Sequence, residues 1–177
     1  MGHLEPGSAF TGMVSIQSMS EHFFPKLLAV EALAPHRLRT CWSTGETLDV
    51  DVGGVLGSNP AFAPLLDPGT FARARLAEWG GAVEWFDAEL GEDNIYAWAK
   101  EQAGQVSHEM LDDWIRRNGL SLTTAAQALG ISRRMVSYYR TAQKPIPRAI
   151  WLACLGWEAT RPAPGTLPRA LPANRLS

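Results

Sequence analysis

From Lys26 onward the apolar positions alternate with polar ones, the period of a strand with one face buried. "LLAVEALAP" (Leu27–Pro35), "HRLRTCWST" (His36–Thr44) and "ETLDVDVGGVL" (Glu46–Leu56) read as three strands, turned at Pro35-His36 and Thr44-Gly45. In the third, Leu48, Val50 and Val52 share one face, while Thr47, Asp49 and Asp51 share the other. "NPAFAPLLD" (Asn59–Asp67) reads as a short helical turn. A second hairpin follows, with arms Thr70–Glu78 and Ala82–Asp87 joined by Gly80-Gly81, whose missing side chains permit the positive φ of a tight turn. Its first arm sets Phe71 in phase with Arg73 and Arg75 and buries Ala72, Ala74 and Leu76. "GEDNIYAWAKEQA" (Gly91–Ala103) closes the stretch as a helix capped near Asp93.

After Ser107 the period changes from two to 3.6. Met110, Leu111, Trp114 and Ile115 form one helical stripe, with Ser107 as its cap and Asn118-Gly119 as its stop. Ser121 caps the next helix, whose stripe is Leu122, Ala125, Ala126 and Leu129. Gly130 ends it, Ile131 turns back into the core, and Ser132 caps a third helix that buries Met135, Val136 and Tyr139. "KPIP" stops that helix, Pro147 suits the first turn of a fourth, and "RAIWLACLGW" (Arg148–Trp157) supplies an apolar closing helix.

Ala126, Gly130 and the β-branched Val136 each have a specific steric reason to be where they are if this stretch is a helix-turn-helix. Ala126 stands where two helices cross closely, so a larger side chain would push them apart. Gly130, four positions on, allows a left-handed turn. Val136 packs beneath that turn from the following helix. With these in phase, "LTTAAQALGISRRMVSYYRTAQKPIP" resembles the lambda-repressor-like (Cro-type) helix-turn-helix family, over about residues 107–159.

The resemblance implies double-stranded DNA as partner, with the outward face of the third helix in the major groove. That face here is Ser132, Arg133, Arg134, Ser137, Tyr138 and Thr141. Arg133 and Arg134 would meet guanine edges or phosphates, and Arg140 and Lys144 would flank the backbone. Thr123 and Thr124 would donate to phosphate beside the backbone amides. Phage repressors often place Gln at the start of the second helix, where this chain has Leu122-Thr123, so the resemblance implies less about that clamp. The first half carries its own resemblance: "FPKLLAVEALAPHRL" and "GETLDVDVGGVL" are similar to the bacterial domain-of-unknown-function 2442 family, over roughly residues 24–103. That family implies a small α+β module, found alone or ahead of a helix-turn-helix, and no chemistry.

Charge divides the chain at the same place. The whole carries −2, yet residues 1–107 hold 6 Lys and Arg against 14 Asp and Glu, and residues 108–161 hold 8 against 4. The acidic half and the basic half are a cue to two modules with different partners. The segment resembling a DNA reader therefore lies in locally basic surroundings.

The expected organisation is a disordered leader (1–23), an α+β module (24–103), an all-α helix-turn-helix domain (107–160) and a flexible, proline-rich tail (161–177). Within the leader, Met13 and Met19 are candidate alternative starts, and there is no signal-peptide pattern. No run approaches the roughly 20 apolar residues of a membrane span. Cys41 and Cys154 match no metal or redox spacing and read as reduced structural thiols; His3, His22, His36 and His108 are scattered, so no metal and no cofactor is expected. The Asp49/Asp51 pair fits a solvated strand face. With no phosphate loop and no nucleophile elbow, the expectation is not an enzyme but a cytoplasmic, bacterial-type regulator of transcription. A homodimer on a two-fold site is the economical arrangement. The rival reading is an adaptor or antitoxin-like protein whose acidic N-terminal module grips a protein partner.

Overall fold

The structure is a computed structural model that describes residues 24–161. The expectations for residues 1–23 and for the tail beyond Arg161 lie outside the described residues. The fold is α+β: two small antiparallel sheets with short helices, then a run of four helices.

The first sheet has the order β1 (Leu27–Leu33), β2 (Arg37–Trp42), β3 (Thr47–Asp51). Its register sets Leu38 opposite Val50 and Thr40 opposite Leu48. Leu38, Val50 and Trp42 are buried there. Thr40 is buried among them at no cost in unpaired groups. Its hydroxyl donates to the Leu48 carbonyl at 2.9 Å and accepts from Trp42 Nε1 at 2.9 Å.

The third strand is shorter than its alternation suggests. Asp51 Oδ1 accepts from the Gly53 amide at 2.8 Å, and the chain turns into α1 (Gly53–Ser58). Val52 and Leu56, both buried, are spaced i, i+4 and belong to that helical turn; the alternation merely runs into the helical period. The exposed edge of β3 is closed by one side chain, because Gln102 accepts from the Asp51 amide at 2.7 Å and donates to its carbonyl at 2.8 Å.

A 3-10 turn, Pro60–Leu66, fulfils the helical reading of "NPAFAPLLD". The expected long arm from Thr70 is corrected. Asp67 caps a single turn, α2 (Pro68–Phe71), by accepting from the Thr70 amide at 2.8 Å. Phe71 is consequently buried and not in phase with the exposed Arg73 and Arg75, and its carbonyl accepts from Trp85 Nε1 at 2.9 Å. What remains of the hairpin is β4 (Arg75–Leu76) and β5 (Ala82–Glu84), turned at Gly80 and Gly81 with φ of 74° and 76°. A third strand, β6 (Glu89–Gly91), completes this sheet. Helix α3 (Glu92–Gln102) then starts from Gly91, two residues before the expected cap at Asp93.

The four remaining helices are α4 (His108–Arg117), α5 (Leu122–Leu129), α6 (Arg133–Arg140) and α7 (Arg148–Thr160). Ser107, Ser121 and Ser132 cap the first three, each side chain accepting from the amide three residues on. Pro147 is the N-cap of α7 and not in its first turn, and α7 runs three residues past Trp157. Between α5 and α6, Gly130 has φ 66°, and the Ile131 amide donates to the Ala126 carbonyl at 3.0 Å. A Cβ on Gly130 would meet nothing within 4 Å, so only the left-handed backbone resists a side chain. Gly130→Ala is therefore expected to cost about 1 kcal/mol and Gly130→Asn less, measured by chemical denaturation.

There are two cores. Leu38, Trp42, Val50, Leu56, Phe71 and Ile95 build the first; Leu111, Trp114, Ala125, Ala126, Val136 and Cys154 build the second. They meet at an aromatic seam, where the His108 ring lies 4.9 Å from that of Phe24 and 6.4 Å from that of Tyr96. Ala142, just past α6, packs with the first core in spite of its place in the basic half. The turn that ends α6 is thereby held against the sheet module.

Candidate nucleic-acid interface

Helices α5 and α6 are held at their crossing by the residues that sterics single out. Ala125 and Ala126 are buried, Val136 is fully buried, and Ile131 is half-buried against them. With Met135, Val136 and Tyr139 turned inward, the helical period leaves Arg133, Arg134, Ser137 and Arg140 exposed and Tyr138 half-exposed on the outer face of α6.

These outward residues are not equivalent. Arg133 makes no ion pair among the described residues. Arg134 donates through Nε to the Tyr138 hydroxyl, one turn on, and its guanidinium stands 5.2 Å from the centre of that ring. Lys144 Nζ lies 5.6 Å from the same ring, so Tyr138 carries two cations on its π surface. Arg134 thus has one edge tied down and its terminal nitrogens free. Ser137 is exposed, and its carbonyl accepts from the Thr141 hydroxyl at 2.9 Å, which turns Thr141 back onto its own helix.

Arg140 is different again. It is paired with Asp112 of α4, which neutralises it beside the cationic face. The sequence signals nothing of this pairing, because the partners are 28 residues apart. The i, i+4 spacing of Arg134 and Tyr138, in contrast, is open to inspection.

At the start of α5, Thr123 is exposed. Thr124 is occupied by a capping box: its hydroxyl oxygen accepts from the Ser121 amide at 2.8 Å, while the Thr124 amide donates to Ser121 Oγ at 3.1 Å. Ser132 Oγ likewise accepts from the Met135 amide at 3.1 Å as the cap of α6. The structure therefore brings Arg133, Arg134, Ser137, Tyr138 and Lys144 together as a cationic, aromatic face. It assigns Thr124, Ser132, Arg140 and Thr141 to local or interhelical bonds.

Other titratable groups cluster away from this face. Lys100 is buried and pairs with Glu46, which also accepts from the Tyr96 hydroxyl at 2.9 Å. Burial works to raise the Glu46 pKa, but the bonds from Lys100, Tyr96 and Thr44 outweigh it and hold the carboxyl below its usual range. Burial depresses the pKa of His108, whose Nδ1 is buried without a hydrogen-bond partner. Cys41 and Cys154 are free thiols, and burial pushes Cys154 up to about 12, far from thiolate reactivity. No group of three or more His, Cys, Asp or Glu among the described residues is placed to hold a metal ion. No helix among them is long and apolar enough to cross a membrane.

Residues 27–101 match the family DUF2442, a protein family of unknown function. Among solved structures, the chain is similar to that of Putative DNA Binding Protein NE0471 from Nitrosomonas europaea ATCC 19718. The two are 74% identical over 88% of this chain and 100% of that one, with a TM-score of 0.81. Comparison with curated proteins finds no match. The chain belongs to the family of the Nitrosomonas europaea protein, and its sheet-bearing half is a DUF2442 module.

Proposed function

We propose that this protein is a sequence-specific DNA-binding protein and a regulator of transcription, reading the major groove with α6 of a lambda-repressor-like helix-turn-helix. The observation that carries the reading is the outer face of α6. Arg133, the Tyr138-braced Arg134 and Ser137 stand on one side of one short helix, with Lys144 beside them and their backs to a packed core. An α-helix of this size fits the major groove, and arginines near its start are placed for guanine O6 and N7 or for phosphates. The name of the Nitrosomonas europaea relative supports the same reading. In this reading the protein is a binder and not a catalyst, and acts in the cytoplasm.

The test is binding of the purified chain to duplex DNA across a salt series, followed by sequencing of the retained genomic fragments. A steep salt dependence with enriched sites is expected. Absence of binding at low salt would end the reading. Asp112 supplies a second check. Asp112→Asn removes an acid next to the face and releases Arg140, so affinity should rise several-fold at low salt, with a salt slope steeper by about one.

A second reading has its own observation. On the sheet module Phe86 is 95% exposed and Trp79 is 70% exposed, a large apolar offer on the acidic half. An adaptor that grips a protein partner there would retain that partner after Arg133 and Arg134 are replaced.

A further inference from the structure

One buried side-chain polar atom among the described residues has no hydrogen-bond partner: Nδ1 of His108. Thr40 and Lys100 are buried more deeply, and both are satisfied, so the exception calls for a cause. His108 stands where the two cores meet. It is the first residue of α4, and its ring lies edge-on to Phe24 at 4.9 Å and tilted against Tyr96 at 6.4 Å. The same ring borders a narrow cleft of about 10 Å³, lined also by Tyr96, Lys100, Tyr139, Ala142 and Lys144. That is about the least space that holds one water molecule, so no counter-ion can enter while the seam is closed.

Such a site accepts a neutral imidazole and resists a charged one. In the neutral ring Nδ1 can remain a bare lone pair, with the hydrogen on Nε2. The imidazolium carries a hydrogen on both nitrogens, and the one on Nδ1 then faces no acceptor. The start of α4 is also the positive end of its dipole, which opposes a cation at this position. Surrounding charges do not reverse the preference. Of the two lysines in the cleft, Lys100 is offset by Glu46, and Lys144 adds like charge. Asp93 of α3 and Asp112 of α4 favour the imidazolium, yet Asp112 is held by Arg140, and Asp93 accepts from the Asn94 amide at 2.8 Å. Burial outweighs both carboxylates and holds His108 below the ordinary histidine range.

We infer that His108 is a proton-operated latch: its neutral ring closes the seam between the sheet module and the four helices, and its protonation opens that seam. The fold defines what is released. The turn after α6 is held to the sheet module by Ala142 in the first core, and Ile146 bridges to Val106. Lys144 lies between them, so the released turn carries one cation of the α6 face. The latch itself requires no DNA contact. Because the closed seam binds fewer protons than the open one, it is firm above the ordinary histidine pKa of about 6.5 and loosens as pH falls below it. At pH 5.0, about 1.5 below that value, the opening equilibrium can shift by at most about thirtyfold.

The test is hydrogen exchange of the full chain, without DNA, at pH 7.5 and 5.0, corrected for the intrinsic pH dependence of exchange. Amides of the seam, at Met110, Ala142 and Lys144, should lose about tenfold in protection at the lower pH, while those of β2 and α5 keep theirs. His108→Phe keeps an aromatic ring that cannot be protonated, so its seam should be equally protected at both pH values. His108→Lys carries the charge at both, and its seam should be loose already at pH 7.5. In the wild type, the histidine ring resonance that is missing from His108→Phe should titrate below about 6.5. No seam-specific loss at pH 5.0, a pH dependence that survives in His108→Phe, or titration of His108 at or above the ordinary value would overturn the inference. So would a loss spread evenly over both cores, which is general acid unfolding.

Discussion

Replacing Trp114 with alanine is expected to melt the α4–α7 unit at or near room temperature while leaving the DUF2442 module folded. Trp114 is fully buried and touches the unit from the inside: its ring stands edge-on to Trp157 at 5.5 Å, and its Nε1 donates to the Cys154 carbonyl. Removing a buried Trp side chain costs about 3–5 kcal/mol in lost transfer energy and residual cavity. A unit of about 50 residues, at roughly 0.05–0.15 kcal/mol per residue, has only about 3–8 kcal/mol to lose. The two magnitudes are comparable, so this one substitution consumes most of the margin. Trp114→Phe keeps most of the volume and loses the indole bond, and should cost about 1–2 kcal/mol. Hydrogen exchange resolves the two halves: amides of α4–α7 lose protection in Trp114→Ala, and amides of β1–β3 keep theirs. An alanine variant with protection unchanged in α4–α7 would contradict the role given to this residue.

The starts of α4, α5 and α6 and the end of α5 are legible in the sequence because each is a local event. Ser107, Ser121 and Ser132 bond to amides three residues away, and Gly130 turns left-handed for lack of a Cβ, so short windows of sequence contain the whole cause. The sheet module is less legible where its causes are distant or where two periods overlap. Val52 satisfies both the alternation of β3 and the i, i+4 pair with Leu56, and the Asp51 to Gly53 bond decides between them. Phe71 sits in an alternating stretch, yet the cap at Asp67 curls that stretch into α2 and buries it. Strand β6 is three residues long with two of them Glu and Gly, and only pairing with β5 makes it a strand. On the candidate interface the exposure of Arg133 and Arg134 follows from the stripe of Met135, Val136 and Tyr139. The withdrawal of Arg140 by Asp112 does not, since no local rule links residues on separate helices.

Arg133→Ala with Arg134→Ala is expected to lower affinity for the selected DNA site by at least about thirtyfold and to erase its preference over random duplex. Both side chains are exposed, and neither contributes to the core that Val136 and Tyr139 form, so the double variant should keep the wild-type melting temperature. A bidentate arginine contact to guanine is worth about 1–3 kcal/mol, and each 1.4 kcal/mol is a factor of ten, which places two such losses at thirtyfold or more. If the residues touch only phosphates, affinity falls equally on all sequences and the salt slope becomes shallower by about two. Arg140→Ala is the internal control, because a guanidinium already neutralised by Asp112 has little left to give DNA, and its effect should stay within about threefold. Tyr138→Phe keeps the ring beneath Arg134 and Lys144 but removes the hydroxyl that holds Arg134 Nε, so its cost should fall on discrimination at one base pair and less on total affinity. Fluorescence anisotropy with the selected duplex and a scrambled one, at two salt concentrations, separates these outcomes. Equal binding by wild type and the double variant would remove α6 from the interface.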